Sequence, residues 1–237
     1  MRENGVARRF RPGWKMSLFV VLFLPLTLGL GSWQLNRAEE KRAFETAYLE
    51  RIGARALPPG DVVADFQRLR LEGRYERGQD FLLDNQTLDG AIGFAVVSVF
   101  QAKDGRRWLI NRGFLSGDRS RRSLPQILTP EGELTIVALA WPELGLLPVF
   151  GEDNWAEGWP KVIQRLEVAR MATFLDNAVP WELRLEGGQP GVFEPASTLL
   201  NMPASKHTGY AVQWFGLAAA LTIGFMIFGF RRDDRDT

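Results

Sequence analysis

Two long apolar runs bracket the sequence, and between them the hydrophobic positions recur at a shorter period. The first run, residues 16–35 (MSLFVVLFLPLTLGLGSWQL), carries no charge over about 20 residues, enough for a helix to cross a hydrocarbon core of roughly 30 Å. The second, residues 210–230 (YAVQWFGLAAALTIGFMIFGF), matches it in length and character. Beyond the first run, Ala38, Phe44, Ala47 and Tyr48 keep helical spacing, so the helix is expected to continue to residue 51 as an amphipathic extension and to stop before Leu57-Pro58-Pro59-Gly60. From Gln67 the period drops to two. In QRLRLEGRY (67–75), Leu69, Leu71, Gly73 and Tyr75 face one side and Arg68, Arg70, Glu72 and Arg74 the other, which predicts a half-buried strand. Further strands are expected over 79–85, 92–100, 106–114, 132–141 and 180–186, with a hairpin turn at Lys103-Asp104-Gly105 and a short helix over 166–176. The fold class that follows is a membrane protein of α+β type, in which two transmembrane helices flank one extracytoplasmic domain with a largely antiparallel β-sheet and short helices.

Charge sets the expected orientation. Arg231, Arg232 and Arg235 follow the second run closely, whereas only Lys206 and His207 precede it, so the C-terminus is expected in the cytoplasm. With two spans the N-terminus lies on the same side, in agreement with Arg2, Arg8, Arg9, Arg11 and Lys15. Arg37, Lys41 and Arg42 sit just beyond the first run, so the second helix decides the direction. The segments read as a cytoplasmic N-terminus (1–15), a first span (16–35), an extracytoplasmic domain (36–209), a second span (210–230) and a cytoplasmic tail (231–237). A cleaved signal peptide is the rival reading of the first run. Its apolar stretch exceeds the roughly 7–15 residues of a signal core and no A-x-A site follows, which favours an uncleaved anchor.

Composition narrows the chemistry. Net charge is +1, from 29 Lys and Arg against 28 Asp and Glu, too even for a nucleic-acid partner. The chain has no cysteine, which excludes disulfides, thiolate metal sites and c-type haem attachment. It has one histidine, His207, so multi-histidine metal sites are excluded and any imidazole chemistry belongs to that residue. No nucleophile elbow or phosphate loop appears, and an enzyme is not expected.

Three places gather residues of interest. At the outer mouth of the first span, SWQLNRAEEK puts Trp33 and Arg37 four apart on one helix face. At the outer mouth of the second, His207, Tyr210 and Trp214 share a face, and the amide of Gln213 lies inside the apolar run, where it needs a partner. An aromatic belt with snorkelling cations accounts for either place alone. Taken together, the two mouths face the same side of the membrane, and Trp33, Arg37, His207, Tyr210 and Trp214 would line one pocket for a flat, apolar ligand bearing carboxylates, such as haem. His207 would ligate the iron, the aromatics would stack on the macrocycle, and Arg37 or Lys206 would pair with propionates. The third place is the tryptophan-rich stretch 141–160, which reads either as a binding loop or as aromatics folded back onto the sheet. The adjacent carboxylates Glu152 and Asp153 within it are a poor basis for glycosidase chemistry.

Five segments carry a resemblance. GSWQLNRAEEK (31–41), GRYERGQDFLLDNQ (73–86), WLINRGFL (108–115), DNW (153–155) and HTGYAVQWFGLA (207–218) resemble, in order and between the two spans, the Surfeit-locus family of cytochrome c oxidase assembly factors. G-x-W-Q-x-x-R and H-x-x-Y-x-x-Q-W-F are specific in combination. The resemblance implies a non-catalytic helper in the bacterial inner membrane, with a periplasmic domain, acting when haem a enters subunit I of the oxidase. It implies haem a as a transient cofactor, subunit I, haem a synthase and membrane lipid as partners, and His207 as the haem-binding position. A scaffold that stabilises oxidase subunits without touching haem is the alternative.

Overall fold

The computed structural model describes residues 10–118, 123–143, 155, 157–194 and 203–230. Arg2, Arg8, Arg9, Arg231, Arg232 and Arg235, on which the expected orientation rests, lie outside the described residues, as do Glu152, Asp153 and Asn154. The chain forms two compact units, one from Met1–Thr46 with Leu199–Thr237 and one from Ala47–Thr198.

The helical unit is built on α1, Trp14–Ile52, and α3, Ala204–Gly229. The 39-residue α1 joins the predicted span to its amphipathic extension and carries Pro25 inside it. The 26-residue α3 starts at Ala204 rather than at 210, directly after Pro203. Proline is compatible with a helix start because the first amides have no intrahelical acceptor. His207 therefore sits in the first turn of the helix and not in the loop before it. Both helices are long and apolar enough to cross a membrane: each holds an 18-residue window of mean hydropathy 1.8. Only 17% of the first window and 11% of the second is buried, whereas the core helix of a globular domain hides most of such a stretch.

The second unit is a β-barrel. Its strands are β1 (Arg68–Leu88), β2 (Ala91–Ala102), β3 (Arg107–Ser116), β4 (Leu134–Trp141), β5 (Lys161–Ile163) and β6 (Ala178–Leu185), with a short α2 (Val168–Ala172) before β6. The pairings β1–β2, β2–β3, β3–β6, β6–β4 and β4–β1 close a ring, which removes the open edges of a flat sheet. Strand β5 adds alongside Phe81–Leu83 of β1. Four pairings are antiparallel (β1–β2, β1–β4, β2–β3, β4–β6) and two parallel (β1–β5, β3–β6), so the sheet is mixed although mostly antiparallel. The β3–β6 pair is parallel because β6 returns through a long connection to close the ring.

Several boundaries differ from expectation. The strands predicted at 67–75 and 79–85 are one strand, whose register against β2 shifts between Tyr75 and Asp80, where Gly78 takes φ +76°. The helix predicted over 166–176 shrinks to Val168–Ala172. Strand β5 was not expected, since three residues show no period. The turn at 103–105 is as predicted, with Gly105 at φ +85°. A second tight hairpin joins Leu88 to Ala91 through Asp89 and Gly90, both at positive φ, the geometry that favours Asp-Gly.

Leu69, Leu71, Tyr75, Phe100, Trp108, Ile136 and Leu183, drawn from all five ring strands, form the interior. Outside, Phe81, Val97, Val99 and Leu109 are covered by Ile163, Val168 and Met171. Both faces of β2 and β3 are thus buried, which accounts for their nearly continuous apolar runs.

Candidate functional site

His207 is 9% exposed, and its Nδ1 lies 2.8 Å from Oε1 of Gln34 on α1. A carboxamide oxygen only accepts, so Nδ1 carries the proton and donates to Gln34, which in the neutral ring leaves the lone pair on Nε2. Among the described residues Nε2 has no hydrogen-bond partner. Close by, Arg42 Nη2 donates to Thr208 Oγ1 at 2.7 Å. Three residues before Gln34 on the same helix face, Gly31 lies against Phe215: a Cβ there would stand 2.8 Å from the ring. Glycine leaves room for the Phe215 ring here, as small residues do at close helix crossings generally.

The two specific motifs therefore meet, through residues other than those expected. Gly31 and Gln34 come from G-x-W-Q-x-x-R; His207 and Phe215 come from H-x-x-Y-x-x-Q-W-F. Trp33 is 51% exposed and Tyr210 44% exposed, while Trp214 is half-buried. Among the described residues no ring contact, hydrogen bond or ion pair joins these three to one another or to His207. Arg37 is exposed and pairs with Glu40 on its own helix at 2.6 Å. Gln213, the amide expected to need a partner, is exposed. The signal for Gln34 was present in the sequence, since it too is an amide inside an uncharged apolar run.

The WLINRGF segment builds a second polar centre inside the barrel. Val96 pairs with Gly113 and Val97 with Asn111, which leaves Arg112 as the extra residue of a bulge. Its side chain is fully buried. Nε donates to Gly191 O at 2.6 Å, Nη2 to Leu128 O at 2.5 Å, and Nη1 to Ser98 Oγ at 3.1 Å and Thr129 Oγ1 at 3.3 Å. Ser98 in turn donates to the buried Asp80 carboxylate. The guanidinium also stacks 4.4 Å from the Phe193 ring and 5.0 Å from that of Tyr75. Burial raises the Asp80 carboxyl above its ordinary value, although Ser98 and Arg112 pull the other way. Burial likewise lowers Arg112 and pushes Tyr75 up to about 12. Through its bonds to two loop carbonyls and two hydroxyls, Arg112 ties the 128–129 and 191–193 segments to the barrel. On the outer face Asn111 Nδ2 donates to Glu182 Oε1 at 2.7 Å, which fastens β3 to β6.

Of the tryptophan-rich stretch, Trp155 and Trp159 fold back onto the sheet, with ring centroids 5.9 and 5.0 Å from Phe81. Arg170 lies 4.0 Å over Trp155, and Lys161 lies 5.3 Å over Trp159. Trp141 is buried at the end of β4. Among the described residues no three His, Asp or Glu gather as a metal site.

Comparison with known proteins places this architecture. A sequence profile of the SURF1 family matches residues 21–219, from the first apolar run into the second. A "SURF1-like protein" of Rickettsia felis is 23% identical over 226 residues, covering 90% of this chain and 96% of its own. "Surfeit locus protein 1" of Takifugu rubripes is 25% identical over 228 residues, covering 85% and 92%. A "SURF1-like protein" of Dictyostelium discoideum is 29% identical over 119 residues, and the match spans 44% of each protein. The match includes both motif-bearing helices and the barrel between them, and the chain belongs to the SURF1 family.

Proposed function

We propose that the protein is a non-catalytic assembly factor for cytochrome c oxidase that binds or hands over haem a for insertion into subunit I. Subunit I and haem a synthase are the partners this reading requires. In it, α1 and α3 span the bacterial inner membrane, both termini are cytoplasmic and the barrel is periplasmic. Family membership supports the assembly role. The observation that carries the haem reading is the state of the only imidazole: buried at a helix start, fixed at Nδ1 by Gln34, and unpartnered at Nε2 among the described residues.

The residues present fit the group. Haem iron takes a neutral imidazole as an axial ligand, and a ligating histidine commonly donates its other ring N–H to a protein acceptor. His207 would hold the iron through Nε2. The exposed faces of Trp33 and Tyr210 and the half-buried Trp214 offer apolar surface, and Lys206 or Arg37 would meet propionates, Arg37 by leaving Glu40. The alternative, a scaffold for oxidase subunits that does not touch haem, draws on those same exposed aromatics and on the engagement of Arg37 with Glu40. Visible absorption of the detergent-purified protein from cells that make haem a separates the two. A Soret band that His207→Ala abolishes supports the haem reading; colourless protein that co-purifies with subunit I supports the scaffold.

A further inference from the structure

We infer that Gln34 is a positioning residue for His207: it fixes the imidazole as the Nδ1–H tautomer and aims Nε2 as the ligating nitrogen. The inference rests on the haem reading above but concerns a residue to which the sequence assigned no role. The geometry leaves little choice. The contact is 2.8 Å between His207 Nδ1 and the Gln34 oxygen, and that oxygen has no proton to give. Neither side chain swings freely, because His207 is buried and Gln34 half-buried. The Gly31–Phe215 contact lies on the same face of α1 and sets how closely the helices approach. In the neutral ring the lone pair is then on Nε2, the nitrogen with no partner among the described residues. An acceptor on the far nitrogen also raises the electron density that an imidazole offers to a metal. Gln34 thus acts on ligand strength as well as on orientation.

His207 being the only histidine makes the test direct, since a protein labelled with 15N-histidine shows a single imidazole. Full-length wild type, Gln34→Leu, Gln34→Glu and His207→Ala are purified in detergent, and the 15N ring shifts of the first three are recorded without haem. The four proteins are then titrated with iron protoporphyrin IX, and the reduction potentials of the complexes are measured. The inference expects the Nδ1–H tautomer in wild type and in Gln34→Glu, and its loss in Gln34→Leu. It expects haem affinity in Gln34→Leu to fall roughly 10- to 100-fold, the usual effect of removing the partner of a ligating histidine. Gln34→Glu should keep the affinity and move the potential to more negative values, because a carboxylate acceptor makes the imidazole a stronger donor. A merely structural role for Gln34 would leave the tautomer and the potential unmoved. An Nε2–H tautomer in wild type, or one that Gln34→Leu does not change, overturns the inference whatever the haem titration shows. A wild type with the Nδ1–H tautomer that binds haem no better than His207→Ala overturns the haem reading instead, and with it the ligating role of Nε2.

Discussion

Replacing Arg112 with methionine, which is close in length and apolar, should destabilise the barrel more than any exposed substitution. The loss can be worked from the contacts. The Gly191 and Leu128 carbonyls, now 2.6 and 2.5 Å from guanidinium nitrogens, lose those donors at partly buried positions. Each such bond, lost where water can replace it in part, costs roughly 0.5–1.5 kcal/mol. Asp80 loses the cation that offsets its burial and keeps only the Ser98 hydroxyl. Removing one partner of a buried charged set costs roughly 3–5 kcal/mol in total, a large part of the roughly 5–15 kcal/mol available to a domain. At about 2–4 °C per kcal/mol for a chain of this size, the melting temperature of the barrel should drop by about 6–20 °C. Urea and thermal unfolding followed by tryptophan fluorescence reads this, since Trp108 and Trp141 are buried in the barrel. The double variant Arg112→Met with Asp80→Asn should recover roughly 1–2 kcal/mol, because it no longer buries a lone carboxylate. A loss under about 1 kcal/mol in the single variant, or a double variant worse by the sum of the singles, would refute the reasoning.

Other substitutions and conditions test other parts of the account. Gly73→Ala puts a Cβ 2.0 Å from the Gln101 carbonyl oxygen, and that atom is backbone; β1 and β2 must part, and stability should fall by at least the roughly 1–3 kcal/mol of ordinary overpacking, measured by urea unfolding. Gly31→Val pushes a side chain into the Phe215 ring, and Phe215→Ala in the same protein should restore what is lost in the His207 tautomer measured by 15N NMR. Asp80 contributes in the sense of a carboxyl raised on folding: its share of stability is complete below the ordinary value of 3.8 and is lost as pH rises through its folded value. Melting curves between about pH 4 and 7 should therefore decline less steeply for Asp80→Asn than for wild type, and parallel curves would count against a buried, raised carboxyl.

What the sequence made legible follows from what periodicity can report. Uncharged runs of span length have few alternatives, so α1 and α3 were readable, and the amphipathic continuation to residue 51 was readable from its helical spacing. Alternation marked the ring strands for the same reason, because it says which side chains face together. It does not say which strands are neighbours. Closure of the ring through a parallel β3–β6 pair was therefore invisible, and so was the continuity of β1 across the bulge at Gly78. The interior position of Arg112 is the sharpest failure of pattern reading. An arginine between Asn111 and Gly113 looks like a solvent-facing residue, yet Arg112 continues the inward alternation of Trp108 and Ile110 and is buried as the extra residue of the bulge opposite Val96 and Val97. At the helices, scarcity singled out His207 as the imidazole to follow. The partner was missed because interface aromatics are conspicuous and an amide is not. Trp33 and Tyr210 face outward, while the neighbouring Gln34 faces His207, a difference of a single position along α1.

The most direct test of the proposed function is the visible spectrum of full-length protein purified in detergent from cells that synthesise haem a, compared with His207→Ala. The account predicts a Soret band in wild type that is lost or shifted in the variant. Wild-type protein that carries no haem, in a host whose oxidase still depends on it, would contradict the haem reading and leave the scaffold in its place.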